Sequence, residues 1–223
     1  MTVDEVNRLL PNVFLWGGTG QAKVVRPIID HYGSKVIAVF DDTPNLPSPF
    51  DDIPIYQGWD EFLQWISDQD KEKLCFCITI GNPHGRVRLR LHHRFVQMGL
   101  QPGTIIHPAA CIANNAIIGS GSQIMAGAII GAESKVGKQC IINTKASIDH
   151  EDALGDGVEI GPGGTLCGLV KVGVNAWVCA GATVLPQITI GQDAVIGAGA
   201  VVTKDVPDGM SVTGIPAKPV IKK

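Results

Sequence analysis

Between Ile106 and Val202 an aliphatic residue recurs every six positions: Ile106, Ile112, Ile118, Ile124, Ile130, Val136 and onward, seventeen times without an exception. A period of six matches neither the 3.6-residue helix nor a coiled-coil heptad, but it is a multiple of the strand repeat of two. Two positions before each aliphatic the residue points to the same face and is usually small, as at Ala116, Ser122, Ala128, Ser134, Cys140 and Ala146. One position after it stand residues that tolerate φ > 0, such as Gly119, Gly131, Gly137, Asn143 and Asp149. Hexads of this kind predict a parallel β-helix: short strands, a corner after each, and coils stacked about 4.8 Å apart on a continuous core. Three hexads per coil give roughly six coils, and the unbroken register predicts that no loop is extruded. A sandwich of alternating strands would need longer and less regular turns.

The first hundred residues follow a different pattern. Apolar runs over 12–16, 35–40 and 74–80 predict buried strands, and helices are expected over 21–32, over 59–67 and up to about 98. Strand and helix in alternation predict an α/β domain, a small parallel sheet of nucleotide-fold type that binds ligands at the carboxyl ends of its strands. Eleven of the twelve aromatic residues lie in this part, with Trp177 alone beyond it. The shift places a boundary near Gly103, giving an α/β nucleotide-fold domain over 1–103 and the β-helix over 104–223.

Composition narrows the partners. The 223 residues are 45% hydrophobic and 17% charged, with a formal net charge of −3, so no basic surface for nucleic acid or anionic membrane is expected. No apolar run approaches the ~20 residues of a membrane helix, and the acidic first residues do not read as a signal peptide; the expectation is a cytoplasmic protein. The six cysteines form no Cys-x-x-Cys pair and read as small buried or corner residues.

Candidate chemistry falls in two places. Gly17, Gly18, Thr19 and Gly20 close the first strand, Asp41 and Asp42 the second, and Gly81 and Asn82 the third. The glycine spacing departs from G-x-G-x-x-G, so a dinucleotide is not expected, although backbone N–H groups and a helix N-terminus could meet a phosphate there. A tight turn would explain the same glycines, and a solvated turn the two aspartates. Arg86, Arg88 and Arg90 could also reach a phosphate, but a solvated helix face is the simpler reading. Within the solenoid only His107 and His150 are histidines, too few for a three-imidazole zinc site, so no metal is expected. His150 lies two residues past inward Ile148, at an outer corner where packing does not need it. A neutral imidazole there can take a proton near pH 7, with Glu151 available to hold its second nitrogen. The alternative is an ordinary surface histidine.

The chain as a whole resembles the hexapeptide-repeat acyltransferases, in their sugar O- and N-acetyltransferase branch. The resemblance is carried by the 17–25 loop, by FDD at 40–42, IGN at 80–82, TIIHP at 104–108, INT at 142–144 and IDHE at 148–151. The closing stretches 201–209 and 213–218 complete it. It implies a left-handed coil, which the period itself does not fix, a homotrimer, and acetyl-CoA bound between neighbouring subunits. By the same resemblance His150 is the general base, Glu151 its orienting carboxylate and Asn143 a nearby polar residue. Gly168, Ala180 and Ala198 approach the pantetheine arm, and Lys218 a CoA phosphate. Gly17, Thr19, Gly20, Gln21, Asp41, Asp42, Gly81 and Asn82 form the nucleotide-sugar pocket. Gln21 replaces a common His, Thr19 a Gly or Ser, and Glu159 a second His that meets the substrate, so the three departures bear on sugar choice. The implied reaction is acetyl transfer to a nucleotide-linked 4-amino sugar. O-acetylation of a sialic acid is the near alternative, and a non-catalytic trimeric scaffold the distant one.

Overall fold

The computed structural model describes residues 10–81 and 83–220. Asn82, one of the expected pocket residues, lies outside the described residues. Five parallel strands form the first sheet: β1 (Asn12–Trp16), β2 (Lys35–Asp41), β3 (Ile55–Gln57), β4 (Leu74–Ile78) and β5 (Gln101–Pro102), in the order β3-β2-β1-β4-β5. The two short edge strands, β3 and β5, carry too few residues to show a period. Alternation along β1 divides the core. Val13 and Leu15 pack with α1 (Gly20–His31), whereas Phe14 and Trp16 face α2 (Gly58–Ile66) and α3 (Gly85–Gln97). Phe14, Phe40, Phe62, Phe76 and Phe95 meet there at centroid distances of 4.9 to 6.2 Å, which explains why the aromatic residues concentrate in this domain.

The hexads form a parallel β-helix with three faces. Face 1 stacks the strands from Ile105–Ile106 to Val195–Ile196, face 2 those from Cys111–Ile112 to Val201–Val202, and face 3 those from Ile117–Ile118 to Thr189–Ile190. Residues eighteen apart pair in register throughout, as Ile130 with Ile148 and Ile148 with Leu166. All seventeen periodic aliphatics are buried except Ile112, in the first coil. At the far end Ser211–Thr213 extends face 1, and Lys218–Pro219 pairs antiparallel to it, which covers that sheet edge.

One expectation about the corners is corrected. Positive φ occurs three residues after the aliphatic, at Glu133, Lys145, Glu151 and Asn175 for example, and not one residue after it. The glycines one residue after are needed for a different reason. A Cβ at Gly131 would lie 2.7 Å from the Asp149 carbonyl carbon, so the next coil leaves no room for a side chain. Cys111 is corrected too: it is exposed on face 2 rather than buried or at a corner.

The two domains join along face 1, where the outward residues Ile105, Gln123, Ile141 and Glu159 are all buried. Arg88 is the main fastener. Its guanidinium, fully buried, donates to Gln139 O at 2.9 Å, Gly157 O at 2.9 Å and Ile80 O at 3.1 Å. Arg86 also crosses the joint, with Nε 2.7 Å from Asp193 Oδ1. The reading of Arg88 as solvated or phosphate-reaching is therefore corrected, whereas Arg86 is exposed and paired with Asp193. Residues two apart on a helix point about 200° apart, so Arg86 and Arg88 never shared one face.

Candidate functional site

The carboxyl ends of β1, β2 and β4 open into a cleft of about 540 Å³ lined by Gly17, Thr19, Gly20, Gln21, Asp41, Asp42 and Gly81, with Trp16, Thr43, Thr79, Ile80 and His84. It lies where the chain order reverses beside β1, the place an open parallel sheet offers a ligand. Gly17 has φ +116, and a Cβ on it would sit 2.6 Å from Thr79 O, so only glycine fits. A Cβ on Gly20 would meet nothing within 4 Å, so this loop position stays open. Helix α1 starts at Gly20 with no acidic residue in its first turn, leaving its positive end available to an anion.

The two aspartates divide their work. Asp41 accepts the N–H of Gly18 at 2.7 Å and that of Thr43 at 2.9 Å, so its carboxylate shapes the loop. Asp42 is exposed and lines the same cleft. Gln21 is tied into the joint: its Nε2 donates to Gln123 Oε1 at 2.8 Å, and Gln123 Nε2 donates to Ile78 O at 2.7 Å. A backbone carbonyl can only accept, so the direction of both bonds is fixed and Gln21 Oε1 is the atom left outside the relay. Glu159 does not line the cleft. It is buried on face 1, with Oε2 3.9 Å from Arg88 Nη1.

His150 stands at the corner between faces 2 and 3, its side chain 52% exposed. Its Nδ1 is 3.3 Å from Glu151 Oε1, a long contact that orients the ring, and Nε2 has no hydrogen-bond partner among the described residues. Strand alternation would aim these neighbours apart, but Glu151 has φ +59, and this left-handed corner brings its carboxylate round to the imidazole. Gly168 lies one coil on. A Cβ there would be 2.9 Å from His150 Nε2, so the ring packs directly over the glycine backbone.

Asn143, Ala180 and Ala198 occupy the other edge of face 2, at the corner with face 1. The structure therefore does not bring them to His150 within one chain. Asn143 Oδ1 accepts the N–H of Thr144 at 2.8 Å. Lys218 is exposed in the closing antiparallel strand, opposite Thr213.

Sequence reasoning missed Asp152. Its side chain is fully buried, and its two oxygens accept the N–H groups of Asp149 and Val170, both at 2.8 Å. The signal was present: Asp152 is two residues before Leu154, a position otherwise small or apolar, so an aspartate there points inward.

Among the described residues no group of three or more His, Cys, Asp or Glu could hold a metal ion, and no helix is long and apolar enough to cross a membrane.

Known proteins resemble both halves. Residues 12–95 match the PglD N-terminal domain, and residues 170–204 match the bacterial transferase hexapeptide (six repeats). GDP-perosamine N-acetyltransferase of Escherichia coli O157:H7 is 34% identical over 112 residues, half of this chain and half of that protein. The chain thus spans about half the length of the curated relatives it matches. Among solved structures, PerB from Caulobacter crescentus in complex with CoA and GDP-perosamine is 35% identical, with a TM-score of 0.84, over 94% of this chain and 97% of that one. The acetyltransferase domain of PglB from Neisseria gonorrhoeae in complex with acetyl coenzyme A is 30% identical, with a TM-score of 0.84, over 95% and 100%. By this likeness along nearly its full length, the chain belongs to the PglD-type hexapeptide-repeat acetyltransferases.

Proposed function

We propose that the protein transfers the acetyl group of acetyl-CoA to the amine of a nucleotide-linked amino sugar, with His150 as general base. The observation that carries this reading is the imidazole held by Glu151 over Gly168, in a chain that also has an open cleft at its nucleotide-fold switch point. The Caulobacter relative, solved with CoA and GDP-perosamine, supports a nucleotide-linked amine over a free sialic acid.

In the reaction the amine nitrogen attacks the thioester carbonyl and gives its proton to His150 Nε2. Glu151 beside Nδ1 stabilises the imidazolium that forms. A backbone N–H of a neighbouring coil supports the oxyanion. The carbon–sulfur bond then breaks and CoA leaves, taking up the proton. Cys167 precedes Gly168 at this corner, but partial burial and the nearby Asp152 and Asp149 carboxylates hold its thiol above the usual range, which favours direct transfer over an acyl-enzyme. The glycine loop and the N-terminus of α1 hold the diphosphate, and Asp42 accepts hydrogen bonds from the nucleoside.

The acetyl-CoA contacts require two copies of the chain. Gly168 stands beside His150, whereas Ala180 and Ala198 lie across face 2, whose outward strand residues Cys111, Ile129, Ser147, Thr165, Thr183 and Val201 bear no charge. A homotrimer that brings one copy's His150 corner to the next copy's opposite corner unites the set, with Asn143 arriving from the neighbour and Lys218 near a CoA phosphate.

The decisive experiment is free-thiol release from acetyl-CoA against a panel of nucleotide-linked amino sugars and sialic acids. Thiol release with an amino sugar, and a trimer by sedimentation, are expected. Release only with hydroxyl acceptors would replace N- by O-acetylation. Absence of acetyl-CoA binding by calorimetry would reduce the protein to a scaffold.

A further inference from the structure

The turn that carries His150 is exposed, yet every part of it is fastened. The N–H of Glu151 donates to Ala132 O at 2.8 Å in the coil before, and the carbonyl of His150 accepts the N–H of Leu169 at 3.0 Å in the coil after. Ser134 Oγ donates to the carbonyl of Asp149 at 2.5 Å. Two donors remain near the core, those of Asp149 and Val170, and both go to Asp152. Asp149 begins the His150 turn, while Val170 follows Gly168 and Leu169, the backbone over which the imidazole packs.

Other inward polar residues at equivalent positions reach one neighbouring coil only. Ser122 Oγ donates to Gly137 O at 2.8 Å and accepts the N–H of Cys140 at 3.0 Å, and Ser134 Oγ donates to Asp149 O at 2.5 Å. They sit where a small side chain fills the prism. Asp152 is larger, carries a carboxyl group into the apolar core, and uses its two oxygens on two different coils. A carboxyl buried at that cost is not needed to fill space, because small or aliphatic residues do so in most other coils.

We propose that Asp152 is a positioning residue for acetyl transfer: its carboxyl group locks the turn bearing His150 to the coil bearing Gly168, fixing the imidazole relative to the backbone beneath it. The role at His150 rests on the general-base reading given above. Because Asp152 is buried and separated from the cleft, its loss should act on the chemical step and leave affinity for the acceptor alone.

Asp152→Ala removes both acceptors, and Asp152→Asn keeps one. In a thiol-release assay kcat is expected to fall about tenfold or more for Asp152→Ala and less for Asp152→Asn, with the acceptor KM of each variant within about twofold of wild type. A kcat within twofold of wild type for Asp152→Ala, or a loss carried by the acceptor KM, would overturn the proposal. Amide hydrogen exchange judges the lock without any acceptor sugar, and so separates a failure of this proposal from a failure of the acetyl-transfer reading. In the wild-type protein the amides of Asp149 and Val170 should be strongly protected despite the exposed corner. Rapid exchange at either overturns the lock, whether or not the variants fold.

Discussion

Gly168→Ala tests the His150 corner most directly. The added methyl carbon would lie 2.9 Å from Nε2, 3.2 Å from Cε1 and 3.3 Å from Cδ2 of the imidazole. Carbon and nitrogen pack comfortably at about 3.5 Å, so the ring or the coil must give by roughly half an ångström. The coil is held by ladder hydrogen bonds on both sides, so the half-exposed ring yields and leaves Glu151. Misplacing a catalytic group by 1 Å can cost about 10²-fold, and complete loss of a general base about 10²–10⁴-fold. A fall in kcat of about 10- to 100-fold is therefore expected. Gly168 also has φ +96, so alanine there adds about 1–2 kcal/mol of backbone strain and lowers Tm by a few degrees. Gly33→Ala separates the two effects, because Gly33 lies outside the solenoid and has φ +78 but nothing within 4 Å of its would-be Cβ. It should lose similar stability and keep full turnover. A folded Gly168→Ala protein with kcat within twofold of wild type would refute the placement of the reaction over this glycine.

His150→Ala should lower kcat by about 10²–10⁴-fold while thermal unfolding and oligomer size stay as in wild type, since the ring is half exposed; a smaller loss removes it from the proton transfer. Arg88→Ala leaves three carbonyls and Glu159 buried without their cation, a loss of about 3–5 kcal/mol read by urea unfolding, and adding Glu159→Gln should recover part of it. Burial pushes the Asp152 carboxyl from 3.8 up to about 6. Between those values the folded chain holds a proton that the unfolded chain has released, so this group's contribution to stability declines as pH rises from about 4 to about 6. The decline amounts to roughly 3 kcal/mol. Asp152→Asn should remove that slope, and unfolding midpoints at pH 4 and pH 7 in both proteins will show whether it does.

The solenoid was legible because one interaction repeats: each aliphatic enters the same core, so a single period carries the whole domain. The reason for its glycines was not legible. A glycine is demanded both by positive φ and by a neighbouring backbone at contact distance, and only the stacked coils distinguish Gly163 from Gly131. In the first domain the cleft could be read from loop residues at strand ends, since parallel topology alone gathers them. Arg88 and Glu159 could not be read, because their environment is made by the other domain, 51 to 69 residues away in the chain for the Arg88 bonds to the solenoid. Asp152 was readable in principle as a break in the inward register, but its role needs the two coils it joins.

The seam between the domains has an evolutionary side. Arg88 donates to three main-chain carbonyls beside the Glu159 carboxylate, and Gly85 and Gly157 allow the helix and coil to touch, a Cβ on Gly85 lying 2.2 Å from Gly157 O. An attachment that rests on main-chain carbonyls, two glycines and a few polar pairs such as Gln21–Gln123 and Arg86–Asp193 asks little of the other side chains around it. Such a socket would let different acceptor-recognising modules be exchanged on one acetyl-handling stem.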